Sequence, residues 1–291
     1  MPAPRLAGRH SSLDITLEQG RAFCGPGEHM KTGPILYCGD PHGKFRHIID
    51  AAGHTKASAV VLLGDLQPQR PLHLELAPLI ERRVPIFFIH GNHDTDSDAD
   101  YKNVWESELA HCNVHGRVVE LPNGQRLAGL GGVFRGTVWY PSKSAAREGE
   151  PAFRSMKEHA RSTPRQDRWR DGPHRTHWST IYPETVDALA DLRADVLITH
   201  EAPGYHPNGF ALLDTLAQSM GAELTVHGHH HDAIDSSARW AQQLFKSFGV
   251  GLRGITAIDD SGHAEIIVAG EQDEQRAHRQ QQFDAFGGSA S

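Results

Sequence analysis

Five short polar segments gather the residue types that hold divalent cations: Gly39-Asp40-Pro41-His42-Gly43, Gly64-Asp65, His90-Gly91-Asn92-His93-Asp94, Thr199-His200-Glu201-Ala202-Pro203 and His227-Gly228-His229-His230-His231. Two carboxylates (Asp40, Asp65), an amide oxygen (Asn92) and four imidazoles (His42, His200, His229, His231) make a mixed oxygen and nitrogen donor set, which suits Mn, Fe, Zn or Ni. Seven donors are too many for one catalytic ion that keeps an open position, and suit two ions sharing a carboxylate. The i, i+2 spacing of Asp40 with His42, repeated by His229 with His231, lets both side chains leave a strand on the same side. Glycines flank these donors and permit tight turns close to a metal or phosphate. His93 stands outside the donor set and next to Asp94. It is suited to proton transfer, with Asp94 expected to raise its basicity and fix its orientation.

Each segment follows a short apolar run: residues 35–38, 59–63, 86–89, 196–198 and 224–226. Runs without alternation read as strands buried on both faces, the pattern of a parallel sheet. Amphipathic stretches separate them, with Phe45, Ile48, Ile49 and Ala52 at helical spacing, a helix opened by Pro71 through Leu72, Leu76, Leu79 and Ile80 with a kink at Pro78, and further helices over 183–192 and 210–220. Residues 127–133 form a Gly-rich strand candidate, and a hairpin joins 254–258 to 264–268 across Asp259-Asp260-Ser261-Gly262. The class is α/β. In an open α/β sheet the carboxyl ends of the strands gather at one edge, where ligands bind, so the five segments converge on one site.

The chain has 291 residues, a net charge of -7 and 38% hydrophobic residues, with 29 glycines and 17 prolines favouring loops. We divide it into an irregular lead-in over 1–33, a catalytic domain over 34–270 and a polar tail over 271–291. An insertion over about 135–180 carries ten basic against five acidic residues and four prolines, and reads either as a solvated face or as a lid that attracts phosphate. Arg135, Arg147 and the Arg168–Arg175 cluster are its candidate phosphate-contacting cations, and the run from Trp169-Arg170 to His177-Trp178 is a candidate nucleobase platform. His90, His227 and His230 read as packing around the donors, and His174, His177 and His206 as solvated loop residues. The acidic balance gives no general pull toward nucleic acid. The apolar runs are far too short to span a membrane, and the first residues do not read as a secretory signal. Three widely spaced cysteines argue against a disulfide framework, so a cytoplasmic setting is the default expectation.

In order and placement the five segments resemble the signature blocks of the calcineurin-like metallophosphoesterase superfamily. The matching residues are Asp40-x-His42, Gly64-Asp65, Gly91-Asn92-His93-Asp94, a lone His200 and Gly228-His229-x-His231. The resemblance implies a four-layer α/β/β/α sandwich with the metal site at the carboxyl ends of its strands. It implies that Asp40, His42, Asp65 and His231 hold one ion, and that Asp65, Asn92, His200 and His229 hold the other. Asp65 would bridge the two, and manganese is the leading candidate for both. The implied reaction is hydrolysis of a phosphodiester or phosphomonoester by a metal-activated hydroxide, with His93 assisting the leaving group. Two other readings remain: a nuclease or nucleotide phosphodiesterase, with nucleic acid open as a partner, and a catalytically inert metal-binding scaffold. Protein Ser/Thr phosphatases continue their Gly-Asp pair with Val-Asp-Arg-Gly. Leu66-Gln67-Pro68-Gln69 stands here instead, which disfavours that subfamily and leaves the phosphate-contacting cation to come from elsewhere. Oligomeric state is not legible.

Overall fold

The computed structural model describes residues 33–141 and 149–277. Nearly all of the expected lead-in, Arg147 and the end of the tail lie outside the described residues. Among the described residues, ten strands form two five-stranded sheets. In the first, β1 (Ile35–Cys38), β2 (Ala59–Leu62) and β3 (Ile86–Phe88) are parallel neighbours. The hairpin β9 (Ile255–Ile258) and β10 (Ala264–Val268) adds antiparallel strands beyond β1. In the second, β5 (Arg126–Leu130), β6 (Val196–Thr199), β7 (Leu224–His227) and β8 (Lys246–Gly249) run parallel, with β4 (Arg117–Glu120) antiparallel on the β5 edge.

Alternation along the strands builds three apolar layers. Ile35, Tyr37, Val61 and Phe87 of the first sheet meet Leu127, Ile198 and Val226 of the second in a central core. On the outer face of the first sheet, Leu36, Cys38, Val60 and Phe88 pack against α1 (Arg46–His54), which buries Ile48, Ile49, Ala51 and Ala52, and against α2 (Leu72–Glu75), α3 (Ala77–Glu81) and α4 (Asp98–Trp105). On the outer face of the second, Ala128, Leu130 and Leu197 meet α6 (Pro183–Ala190) and α7 (Ala211–Met220). This is the expected α/β/β/α order. Each buried Leu, Ile, Val or Phe contributes about 1.5–3 kcal/mol, so burial of both faces of the strands is the main force holding the layers together.

Two local differences have clear causes. The helix expected across 71–80 is two short helices that break at Leu76. Pro78 has no N–H to give and its ring would clash with the Leu74 carbonyl, which takes a hydrogen bond from Arg70 instead. Cys38 is a free, buried thiol, but Cys112 is disulfide-bonded, which the odd cysteine count did not anticipate.

Among its described residues the insertion has one helix, α5 (Met156–Ser162), whose N-cap Ser155 accepts the Glu158 N–H, and two short 3-10 turns, over 165–167 and 175–179. Its aromatic residues anchor it. Trp169 and Trp178 pack edge-on against Tyr101, which stacks on Trp105 of α4 at 4.6 Å. Arg170 lies over Tyr101 and Trp169 and pairs with Glu106. The expected nucleobase platform is therefore committed to internal packing through Trp169. Beyond Gly270 the chain stays attached to the domain, because Asp273 accepts the Gly270 N–H and Glu271 pairs with Arg253 at 2.6 Å. Among the described residues, no helix is long and apolar enough to cross a membrane.

Candidate metal centre

The loops after β1, β2, β3, β6 and β7 meet at one edge of the sandwich. Three of them share a backbone device. Asp40 and His42, Asp65 and Gln67, and His229 and His231 all have φ between 37° and 69°. They make up six of the eleven non-glycine residues with positive φ among the described residues. Left-handed backbone is unfavourable for side-chain-bearing residues and persists where the surroundings enforce it, commonly at functional sites. Here it turns alternate side chains of each pair into the same space.

The donors form two groups with Asp65 in common: Asp40, His42, Asp65 and His231, and Asp65, His200 and His229, with the ligand atoms of each group within 4.8 Å of one another. In the first, His42 Nε2 lies 3.3 Å from His231 Nε2 and 3.9 Å from Asp65 Oδ2. In the second, His200 Nε2 lies 3.4 Å from Asp65 Oδ1 and 3.3 Å from Asn92 Oδ1. All seven donors read from the sequence thus come together. Hydrogen bonds further out fix the rings: His42 Nδ1–H donates to Gln67 Oε1 at 2.6 Å, and His200 Nδ1–H to the Leu63 carbonyl at 2.7 Å. Each leaves Nε2 directed at the carboxylates, the arrangement that sets a ligating histidine's tautomer.

The electrostatics also suit a cation. Burial alone would raise the Asp65 pKa, but the attraction and hydrogen bond of His200, with the His93 N–H at 2.9 Å, hold it below the usual carboxylate range. Burial disfavours charge on His200 too, yet Asp65 and Asp40 outweigh it and push the imidazole up to about 10. Asp40 is raised by burial, though it accepts the His229 N–H at 3.0 Å. Close packing leaves no slack, since a Cβ at Gly91 would sit 2.2 Å from Asp65 Oδ1 and 2.3 Å from the Asp65 backbone nitrogen. Gly91→Ala is expected to cost about 1–3 kcal/mol of stability as the Asp65 loop is displaced. A lowered denaturant midpoint together with lost metal would show it.

Asp94 does not take the role its position in the sequence suggested. His93–Thr95 forms a 3-10 turn, in which residues three apart share a side and neighbours diverge. His93 Nδ1 therefore meets Asp96 Oδ2 at 2.6 Å. Asp94 turns inward, accepts the Gly91 and Gln67 N–H groups at 2.8 Å each, and ties the loop after β3 to the loop after β2. Burial and repulsion from Asp65 raise its pKa to about 7. For His93, burial opposes charge, but Asp96 and Asp65 together raise the pKa above the ordinary value.

Residues that the sequence reading passed over complete the surroundings. Glu201 Oε2 lies 3.8 Å from His229 Nε2, while Glu201 Oε1 accepts the Phe134 N–H. His206, expected in solvent, is buried, stacked on His230 at 4.1 Å, and 3.3 Å from Asp232. Among the candidate phosphate cations, Arg168 donates to the Thr163 and Arg161 carbonyls. Arg175 clamps the His93 turn through the Thr95 and Asp96 carbonyls and Asp98. Arg135 differs from both. Its guanidinium reaches Ser179 Oγ at 3.3 Å, its Nε is buried without a hydrogen-bond partner, and it feels the charges of Asp96, Glu201 and Asp65.

Two sheets flanked by helices, with a carboxylate and imidazole cluster at the strand ends, define a metallophosphoesterase-type hydrolase. Residues 33–233 match the calcineurin-like phosphoesterases, and the chain belongs to this family, whose members hydrolyse phosphate esters with bound divalent metal. An uncharacterized protein of Haemophilus influenzae is 37% identical over 221 residues, 76% of this chain and 92% of its own length. The crystal structure of TT1561 of Thermus thermophilus shares the fold, with a TM-score of 0.52 and 19% identity over 81% of this chain and 99% of that one.

Proposed function

We propose that the chain hydrolyses a phosphodiester or phosphomonoester at a two-ion centre, with Asp40, His42, Asp65 and His231 holding one ion and Asp65, Asn92, His200 and His229 the other. The observation that carries this reading is the Asp65 carboxylate, whose two oxygens face different imidazoles, His42 from Oδ2 and His200 from Oδ1. Bound there, two divalent ions, manganese foremost, supply an acidified water and withdraw charge from the phosphoryl oxygens, so that displacement needs no nucleophile from the protein.

The chain's own groups do the rest. Asp96 engages His93 Nδ1, which leaves Nε2 to deliver a proton to the departing oxygen. Arg135 anchors a substrate phosphate oxygen. Arg135→Ala is expected to raise KM about 10–100-fold with a smaller change in kcat, as for a lost charge-assisted hydrogen bond. Arg135→Lys should recover part of it, and an unchanged KM would remove Arg135 from substrate binding. Protons compete with metal for the imidazole and carboxylate donors, so turnover should collapse below about pH 6. A profile that stays flat to about pH 5 would contradict a histidine-rich metal centre.

The functional test is turnover of bis(p-nitrophenyl) phosphate beside p-nitrophenyl phosphate with added Mn²⁺. Cleavage of either supports the hydrolase, and the faster one separates diester from monoester preference. Metal bound without turnover of any phosphate ester would favour the scaffold reading.

A further inference from the structure

The insertion reaches the loop after β3 through its 3-10 turn over 175–179, which grips that loop at two points. The first is Arg175. Its Nε donates to the Thr95 carbonyl at 3.1 Å, its Nη2 to the Asp96 carbonyl at 2.7 Å, and its Nη1 pairs with Asp98 Oδ1. The second is Ser179, fully buried, whose hydroxyl lies 2.7 Å from Thr95 Oγ and 3.4 Å from the Asn92 carbonyl. Behind it the Val133 N–H donates to the Ser179 carbonyl, and the Ile181 N–H to the Val133 carbonyl, at 3.0 Å each. These bonds tie the turn to the chain leaving β5, so a loop of the first sheet is braced against the second.

The carbonyls that Arg175 holds lie where the chain leaves the His93–Thr95 turn. Asp96 is engaged there twice, its carbonyl by Arg175 Nη2 and its carboxylate by His93 Nδ1 at 2.6 Å. The His93 and Asp96 side chains are 44% and 54% exposed, so surrounding packing does little to hold the pair. Arg175 is more enclosed, at 26%. A guanidinium presents its donors in a rigid planar fork, and bonds to successive carbonyls fix the backbone between them. Each of its three nitrogens is engaged by this one stretch of chain, a use that differs from the phosphate contact expected for it.

We propose that Arg175 is a positioning residue for the hydrolysis. By fixing the backbone of Thr95 and Asp96 it holds the Asp96 carboxylate, and through it the His93 ring, at the angle that lets Nε2 reach the departing oxygen. The inference rests on the reading of His93 as the proton donor. It gives the insertion a part in turnover, as a brace on that donor. A proton donor has to stay within hydrogen-bond reach of the atom it serves, and misplacement by about 1 Å can cost about 10²-fold.

The test is steady-state kinetics of the Mn²⁺-loaded protein on an ethyl phosphate ester and its p-nitrophenyl counterpart, with Arg175→Ala, His93→Ala and the double variant. Arg175→Ala should lower kcat on the ethyl ester about 10–100-fold, with KM and metal content little changed. The loss should be smaller on the p-nitrophenyl ester, whose leaving group needs little help from an acid. In the double variant Arg175→Ala should add nothing to His93→Ala. Arg175→Lys keeps the stem and the charge opposite Asp98 but cannot fork between two carbonyls, so its kcat should lie between those of wild type and Arg175→Ala. It carries the test should the alanine variant fail to fold. A raised KM at unchanged kcat would return Arg175 to phosphate binding and overturn the proposal. So would an equal loss in the wild-type and His93→Ala backgrounds, the mark of a merely structural role. A His93→Ala protein as active as wild type would refute the proton donor and this proposal with it, an outcome read from that single variant alone.

Discussion

Asp65→Asn is expected to reduce turnover by at least about 10³-fold and to strip metal from the protein. The substitution keeps the size of the side chain and exchanges one carboxylate oxygen for an amide nitrogen that donates. Asp65 faces His200 at 3.4 Å and His42 at 3.9 Å from its two oxygens, so the change removes a donor from one group and weakens the other. It also removes the negative charge that holds the two sets of imidazoles together. Loss of a partner one shell further out typically costs about 10–100-fold in metal affinity or activity, and a shared direct donor should cost more. The side chain is 1% exposed, so stability needs its own measurement. An Asp65→Asn protein that folds, retains two ions and turns over at the wild-type rate would refute the shared-carboxylate centre.

His93→Ala should lower turnover about 10²–10⁴-fold with metal content unchanged, the range typical for general acid catalysis. The ring is partly exposed, and its Nδ1 is held by Asp96 rather than by Asp94. Two distinct outcomes follow for these neighbours. Asp96→Asn should shift the basic limb of the pH profile to lower pH, since the hydrogen bond and charge that raise the His93 pKa are weakened. Asp94→Ala should act on assembly of the site, because two backbone N–H groups lose their acceptor at once. A substrate with a good leaving group, such as a p-nitrophenyl ester, should show a smaller His93→Ala defect than an alkyl ester. Equal defects on both would argue against proton donation.

The strands that carry the donors were legible because burial on both faces writes an unbroken apolar run, as in Val60, Val61 and Leu62 of β2. The edge strand β4 was not, since its sequence Arg-Val-Val-Glu has only two apolar residues and neither is fully buried. β8 escaped for a related reason, as it reads Lys-Ser-Phe-Gly and buries Ser247 through a hydrogen bond from Thr225. Within the site, the donors announced themselves by type and by position after strands. The residues that orient them did so less clearly. Gln67 stands two residues after Asp65, the same spacing as Asp40 with His42, and that repeat was the available signal for its contact with His42. Asp96 lies three residues after His93, but only a 3-10 turn brings them together, whereas sequence adjacency favoured Asp94. Nothing in the linear pattern marked Glu201 as reaching His229, or the four aromatic residues of α4 and the insertion as one packed cluster.

The most direct test of the central claim is the metal stoichiometry of the purified, Mn²⁺-loaded protein, measured by elemental analysis beside Asp65→Asn under the same conditions. Two ions per chain in the wild type and at most one, weakly held, in the variant is the expected result. No tightly bound metal in the wild type, or the same content in both proteins, would contradict a two-ion centre bridged by Asp65.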